Sequence, residues 1–319
     1  MPLIDMPLDA LMTYQGRNPR PDDFDEFWDR SIAEMKSIDP QVEMIPHKSG
    51  ADDIEFFDLF WTGVGGARIH AKYMRPAGDS TPHPAVVIFH GYSGHSGDFF
   101  GHLGWVAAGY SVAAIDVRGQ GGASQDTGIT TGTTLRGHII RGLDDSPENL
   151  LFRSIYLDCA QLAGIVMDMP EVDESRVGCT GGSQGGGLTL ACAALEPRVK
   201  LAAPIYPFLC DYRRVWEMDL AVAAYEEIRT YFRQFDANHE RTDAIFTKLG
   251  YIDAQFLAPR IKARTLMLTG MMDTVCPPST QFAAYNRITA PKDVVIYPDY
   301  GHEGLPGGSD KVFEFMMGL

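Results

Sequence analysis

A doubly wound, mostly parallel α/β sheet of about eight strands with helices on both faces is the fold class this sequence predicts, and three observations predict it. Short continuous apolar runs, such as Ala85-Val-Val-Ile-Phe89, suit parallel strands buried on both faces, and they alternate with stretches of helical periodicity. One of these runs, Arg176-Val-Gly-Cys-Thr180, leads directly into Gly181-Gly182-Ser183-Gln184-Gly185 and then a small-residue stretch through Ala194, the order strand, glycine-flanked serine, helix. Two later apolar runs end in a carboxylate and a histidine, giving the chain order Ser183, Asp273, His302 at strand ends, where an open α/β sheet places its ligand site.

The elements follow in order. Phe24, Phe27, Trp28, Ile32 and Met35 recur at helical spacing behind Asp22-Asp23, an amphipathic helix with favourable charge at its N-terminus; residues 1–50 are read as a helical arm packed on the domain. Ile54 to Phe60 and Ala67 to Met74 are β-rich runs joined through Thr62-Gly-Val-Gly-Gly66, a hairpin connection. Ala85 to Phe89, Tyr110 to Ile115, Arg176 to Thr180, Val199 to Ile205, Arg264 to Thr269 and Val294 to Tyr297 supply the remaining strands, with helices over Leu150 to Met167 and Ser279 to Ile288. Two segments fit the alternation less well. Residues 121–146, rich in Gly and Thr, read as a surface or interface insertion, and residues 211–250 as a helical insert near the site, all within one domain over 1–319.

The serine motif carries the chemistry. A serine in a strained turn between strand and helix, with glycines two residues either side to avoid the neighbouring backbone, is pushed out toward substrate, and the arrangement resembles the nucleophile elbow of the α/β-hydrolases. A hydroxyl is a weak nucleophile until a base takes its proton, and that base needs a carboxylate to fix its tautomer. His302 in Asp299-Tyr-Gly-His-Glu303 is the base and Asp273 the carboxylate; Asp299 lies too close in sequence to approach the imidazole from behind. His90-Gly91-Tyr92 follows the Ala85 strand, where the backbone amides of Tyr92 and Gln184 are placed to bind a developing oxyanion. Arg118-Gly119-Gln120-Gly121-Gly122 lacks the third glycine and the Lys-Ser/Thr of a phosphate loop, so Arg118 and Gln120 are read as structural residues pinning loops near the site. Val275 and Cys276 are candidates for the acyl pocket, a buried packing cysteine being the favoured reading of Cys276.

Composition narrows the partners. A formal net charge of −15 argues against nucleic acid or an anionic membrane surface and suits a neutral or cationic substrate. The N-terminus has no basic segment followed by an apolar core, and no stretch approaches the length needed to span a bilayer, which points to a cytoplasmic protein. Five scattered cysteines, mostly in apolar runs, suit reduced core thiols. Neither they nor the nine histidines show metal-ligand spacing, so no metal is expected.

Together, His90-Gly-Tyr92, Arg118-Gly-Gln120, Gly181-Gly-Ser183-Gln-Gly185, Asp273-Thr-Val-Cys-Pro-Pro-Ser-Thr280 and His302-Glu303 resemble the acetyl xylan esterase and cephalosporin C deacetylase family, carbohydrate esterase family seven, over nearly the whole chain. Ser93 stands where that family often carries Asn. The resemblance implies a serine carboxylesterase that removes O-acetyl groups from acetylated xylo-oligosaccharides and other small acetyl esters without a cofactor. It also implies the triad Ser183, Asp273 and His302, the oxyanion hole at Tyr92 and Gln184, and an intracellular homo-oligomer, a hexamer, with residues 121–146 a candidate interface. Fold and triad do not choose the leaving group, so a peptidase or other acyl hydrolase is the enzymatic alternative. A non-catalytic binding module is the other, though no triad member is missing.

Overall fold

The computed structural model describes residues 4–48, 50–78, 81–131 and 137–319. Nine strands are present among them: β1 Glu43–His47, β2 Ile54–Thr62, β3 Arg68–Pro76, β4 His83–Phe89, β5 Ser111–Asp116, β6 Val172–Gly182, β7 Leu201–Ile205, β8 Arg264–Gly270 and β9 Lys292–Tyr297. They form one sheet in the order β1-β2-β3-β5-β4-β6-β7-β8-β9. The β1-β2, β2-β3 and β3-β5 pairings are antiparallel, and the pairings from β5 through β4 to β9 are parallel. The sheet thus has one strand more than the sequence pattern indicated. Residues 43–47 read Glu-Met-Ile-Pro-His and are almost wholly exposed, so the strand lacks apolar alternation and tolerates Pro46 because it lies at the edge.

Alternation along the central strands explains the layers. Ala85 and Val87 of β4 join a core cluster with Ile155 and Leu188, whereas Val86 between them packs with Val312 and Met316. The first face is covered by the helices Leu151–Met167 and Gln184–Leu195, the second by Leu103–Ala107 and Gly308–Met316. A strand such as Ser111–Asp116 is buried at every residue because both faces are covered, which is why its sequence is a continuous apolar run.

The N-terminal helix Phe24–Ser37 buries Phe24, Phe27, Trp28 and Met35, and the Trp28 ring stacks on Tyr156 of the 151–167 helix at 5.9 Å. Ahead of it, the chain is tied to the body by one buried carboxylate: Asp211 accepts from the Tyr14 hydroxyl at 2.8 Å and from the Arg17 and Asn18 amides at 3.0 and 2.9 Å. Among the described residues of the 1–50 arm the chain is not helical throughout, since Glu43–His47 form β1. Between β7 and β8 the helices Tyr212–Glu217, Glu226–Phe235 and Thr242–Leu249 make up the 211–250 segment. Residues 121–131 and 137–146 carry no strand or helix, and residues 132–136 of that segment lie outside the described residues. No described helix is long and apolar enough to cross a membrane.

Candidate active site

The C-terminal ends of the parallel strands carry the candidate residues, which is where the peptide dipoles and loop openings of such a sheet converge. Ser183 follows β6 at φ 58° and ψ −118°, a strained conformation for a residue with a side chain. Its backbone is held from three directions, by Ser183 N to Ile205 O at 3.0 Å, Gly187 N to Ser183 O at 3.1 Å and Phe208 N to Ser183 O at 3.0 Å. The flanking glycines follow from packing against β4: a Cβ on Gly181 would lie 2.5 Å from the Phe89 carbonyl oxygen, and one on Gly185 only 2.1 Å from it. The hydroxyl is half-buried rather than fully exposed.

Ser183, Asp273 and His302 are brought together in one hydrogen-bonded chain. His302 Nε2 lies 2.9 Å from Ser183 Oγ, and His302 Nδ1 lies 2.8 Å from Asp273 Oδ2. Asp273 is completely buried, and its other oxygen accepts the Val275 and Cys276 amides, each at 2.8 Å. A carboxylate has no proton to give, so His302 Nδ1 must donate to it, which leaves Nε2 with the lone pair that accepts from the serine hydroxyl. The Tyr206 ring packs against the imidazole at 4.7 Å and limits its rotation. Asp273, Cys276 and His302 also form a group of metal-type ligand atoms within 4.8 Å of one another, a proximity invisible in the sequence spacing. Both Asp273 oxygens and both His302 nitrogens are already engaged in the bonds above.

The loop after β4 supplies the second wall. His90 Nδ1 donates to the Gly91 carbonyl at 2.7 Å while its Nε2 accepts the Val117 amide at 3.0 Å, fixing a neutral tautomer; burial pulls its pKa down in agreement. Gln120 Oε1 accepts the Ser93 amide at 2.8 Å, and the Gln120 and Gln184 side-chain amides bond reciprocally at 2.7 and 3.0 Å. Gln120 thereby links the loop carrying Tyr92 to the helix that begins with Gln184. The Gln184 amide lies in the first turn of the helix Gln184–Leu195, where helix geometry leaves N–H groups without an intrahelical acceptor. Among the described residues the Tyr92 amide donates to no acceptor either. Ser93 holds φ at 58°, the left-handed region that Asn enters more readily than Ser. Arg118 is buried away from this wall, paired with Asp158 through two 2.6 Å bonds and donating to the Val64 carbonyl.

These residues open onto a cleft of about 650 Å³ lined by His90, Gly91, Tyr92, Gly94, His95, Gly97, Ser183, Ala223, Ala224, Val275 and His302. Val275 lines it. Cys276 does not; it is fully buried, and burial followed by the Asp273 charge pushes its pKa well up. Sequence reasoning missed four contributors: His90 as the fixed support of the loop, Tyr206 against His302, the Ala223-Ala224 rim from the 211–250 segment, and Glu227 behind Tyr92. The acidic pair Glu226-Glu227 opens a helix, a position that by itself reads as a complement to the helix dipole.

Residues 1–319 match the family described as acetyl xylan esterase (AXE1). Acetyl xylan esterase 1 from Thermoanaerobacterium sp. JW/SL YS485 has a crystal structure to which this chain is 59% identical, with 99% of each chain covered and a TM-score of 0.97. The acetyl xylan esterase from Paenibacillus sp. R4 is 39% identical, covers 98% of this chain and 100% of its own, and has a TM-score of 0.94. Acetyl esterase Axe7A of Xylanibacter ruminicola is 26% identical over 294 residues, 88% of this chain; the chain spans 63% of that protein's length. With the motif constellation, the α/β-hydrolase sheet and a family match over its whole length, this chain belongs to the acetyl xylan esterase family.

Proposed function

We propose that the chain is a serine-dependent acetyl esterase acting on acetylated xylo-oligosaccharides and other small acetyl esters. The observation that carries this reading is the continuous chain from Asp273 through His302 to Ser183, with 2.8 and 2.9 Å links, at the wall of an open cleft. Ser183 Oγ attacks the acetyl carbonyl carbon as His302 Nε2 takes its proton, and Asp273 stabilises the imidazolium that forms. The carbonyl oxygen gains charge and is met by the Tyr92 and Gln184 amides, each such donor being worth about 3 to 4 kcal/mol in serine hydrolases. His302 then protonates the departing sugar alkoxide, and the acetyl-enzyme is hydrolysed by water through the same sequence. The acetylated-carbohydrate substrate class is supported by the names of the two similar solved structures. The family resemblance carried by the sequence motifs supports a cytoplasmic homo-oligomer, a hexamer, with the 121–146 segment a candidate interface, and five free, buried cysteines accord with a reducing compartment.

The test is an acetate-release screen over acetylated xylo-oligosaccharides, esters of one alcohol with increasing acyl length, and peptide amides. Val275 lines the cleft two residues from Asp273 and is expected to limit the acyl side to a small group, and each methylene left unburied forfeits about 0.8 kcal/mol. kcat/KM is expected to fall steeply from acetate to octanoate, with peptide amides inert. A flat acyl series, or peptide cleavage without ester preference, would contradict the reading.

A further inference from the structure

Tyr92 contributes more than an amide to the site, because its side chain is held by several partners away from the cleft. The ring meets Phe208 edge-on at 5.7 Å and His138 at 4.9 Å. Its hydroxyl donates to Glu227 Oε1 at 2.5 Å and accepts the His138 amide at 3.0 Å. Glu227 is itself buried, 3% exposed, and its Oε2 accepts the Ile140 amide at 3.0 Å. The turn that delivers these amides passes directly over the carboxyl: Gly137 sits at φ 92°, and a Cβ there would fall 1.9 Å from Glu227 Oε2. Burial raises the carboxyl to a pKa of about 7, against the bonds from Tyr92 and the 138–140 amides that favour its charged form. A carboxyl kept in so unfavourable an environment has to be held by what it binds.

From this arrangement we propose that Glu227 is the positioning residue of the oxyanion hole, holding the Tyr92 amide in place by gripping the Tyr92 hydroxyl. The inference rests on the serine-esterase reading above. The 226–235 helix follows the Ala223-Ala224 rim of the cleft within two residues, so the one carboxyl ties that rim, the 137–140 turn and the loop after β4 into a single unit. An oxyanion donor acts on the transition state rather than on the bound ester, so loosening Tyr92 lowers kcat and leaves KM nearly unchanged. A purely structural role would instead reduce the fraction of folded enzyme and leave the turnover of each remaining site intact.

The experiment measures 4-nitrophenyl acetate hydrolysis by Glu227→Gln, Tyr92→Phe and the double variant, each rate divided by the sites titrated with a 4-nitrophenyl phosphonate. Each single variant is expected to lose about 10- to 100-fold in kcat per titrated site, less than the full loss of a donor, with KM within about threefold. Because both changes act on the same Tyr92–Glu227 bond, Tyr92→Phe removing it and Glu227→Gln mismatching it against the Ile140 amide, the double variant is expected to be no slower than the slower single one. Turnover per titrated site within twofold of the parent in both single variants, or penalties that multiply in the double, would overturn the proposal. Should Glu227→Gln fail to fold, Tyr92→Phe decides alone, since it removes only the gripped hydroxyl. Failure of the parent enzyme to react with the phosphonate at Ser183 would instead reject the esterase reading itself.

Discussion

Replacing Asp273 by Asn changes one atom in the relay, and the structure dictates how the new side chain must sit. One carboxylate oxygen receives two backbone donors, the Val275 and Cys276 amides at 2.8 Å, and the other receives His302 Nδ1 at 2.8 Å. An Asn whose NH₂ faced the two amides would set donors against donors in a fully buried pocket, so its carbonyl oxygen takes that side. The NH₂ then points at His302 Nδ1 and forces that nitrogen to accept. The proton moves to Nε2, which faces Ser183 Oγ at 2.9 Å and can no longer receive the serine proton. In serine hydrolases built this way the wrong tautomer costs about four orders of magnitude in kcat, or roughly 5.4 kcal/mol. The assay is acetate release under saturating substrate, with circular dichroism and thermal melting to show that the fold persists. Asp299→Asn is the control and should retain near-normal turnover. Asp273→Asn within tenfold of the parent, or a comparable loss in Asp299→Asn, would refute the tautomer argument.

Two further outcomes follow from the geometry and a third from the family resemblance. Gly185→Ala should destabilise the fold by about 1 to 3 kcal/mol or more, because its Cβ would collide with the Phe89 carbonyl; Gly182→Ala, whose Cβ meets only the Tyr206 ring at 3.4 Å, should be tolerated, and melting temperatures compare the two. His70 is buried between Asp116 at 2.6 Å and Asp58 at 3.0 Å, with His47 beyond Asp58; burial pulls its pKa down, but the bonds to both carboxylates outweigh this and hold it above the ordinary 6.5. A raised folded-state pKa gives stability that is complete below the unfolded value and is lost as pH rises through the folded one, so the melting-temperature advantage of the parent over His70→Gln should be larger near about pH 5.5 than near about pH 9; an advantage growing toward alkaline pH would contradict the assignment. Light scattering should give a mass several times the 35.2 kDa of one chain, and a monomer at micromolar concentration would exclude the proposed oligomer.

What was legible in the sequence is what physical chemistry writes locally. β4, β5, the second half of β6 from Val177 and β8 beyond Arg264 are largely buried and so appear as short apolar runs, while β1 carries Pro46 and faces solvent, leaving no pattern to read. Ser183 was marked by glycines whose need the Phe89 carbonyl explains, and Asp273 and His302 by their places at strand ends. Depth was legible only in part: Val275 and Cys276 are adjacent, yet the first faces the cleft and the second is fully buried, as its apolar thiol favours. Long-range partners left no trace either. Glu227 meets Tyr92 across 135 residues of chain, and only the folded 211–250 segment brings them together.

Formation of an acetyl-enzyme at Ser183 is the step on which the esterase chemistry depends. Rapid acid quenching of the enzyme during turnover of an acetylated xylo-oligosaccharide, followed by peptide mass spectrometry, should find a single acetyl group on the peptide carrying Ser183. Ser183→Ala, with the same melting temperature, should show neither the adduct nor acetate release above background. Acetate release that survives in Ser183→Ala, or an acetyl group trapped on another residue while Ser183 stays unmodified, would contradict it.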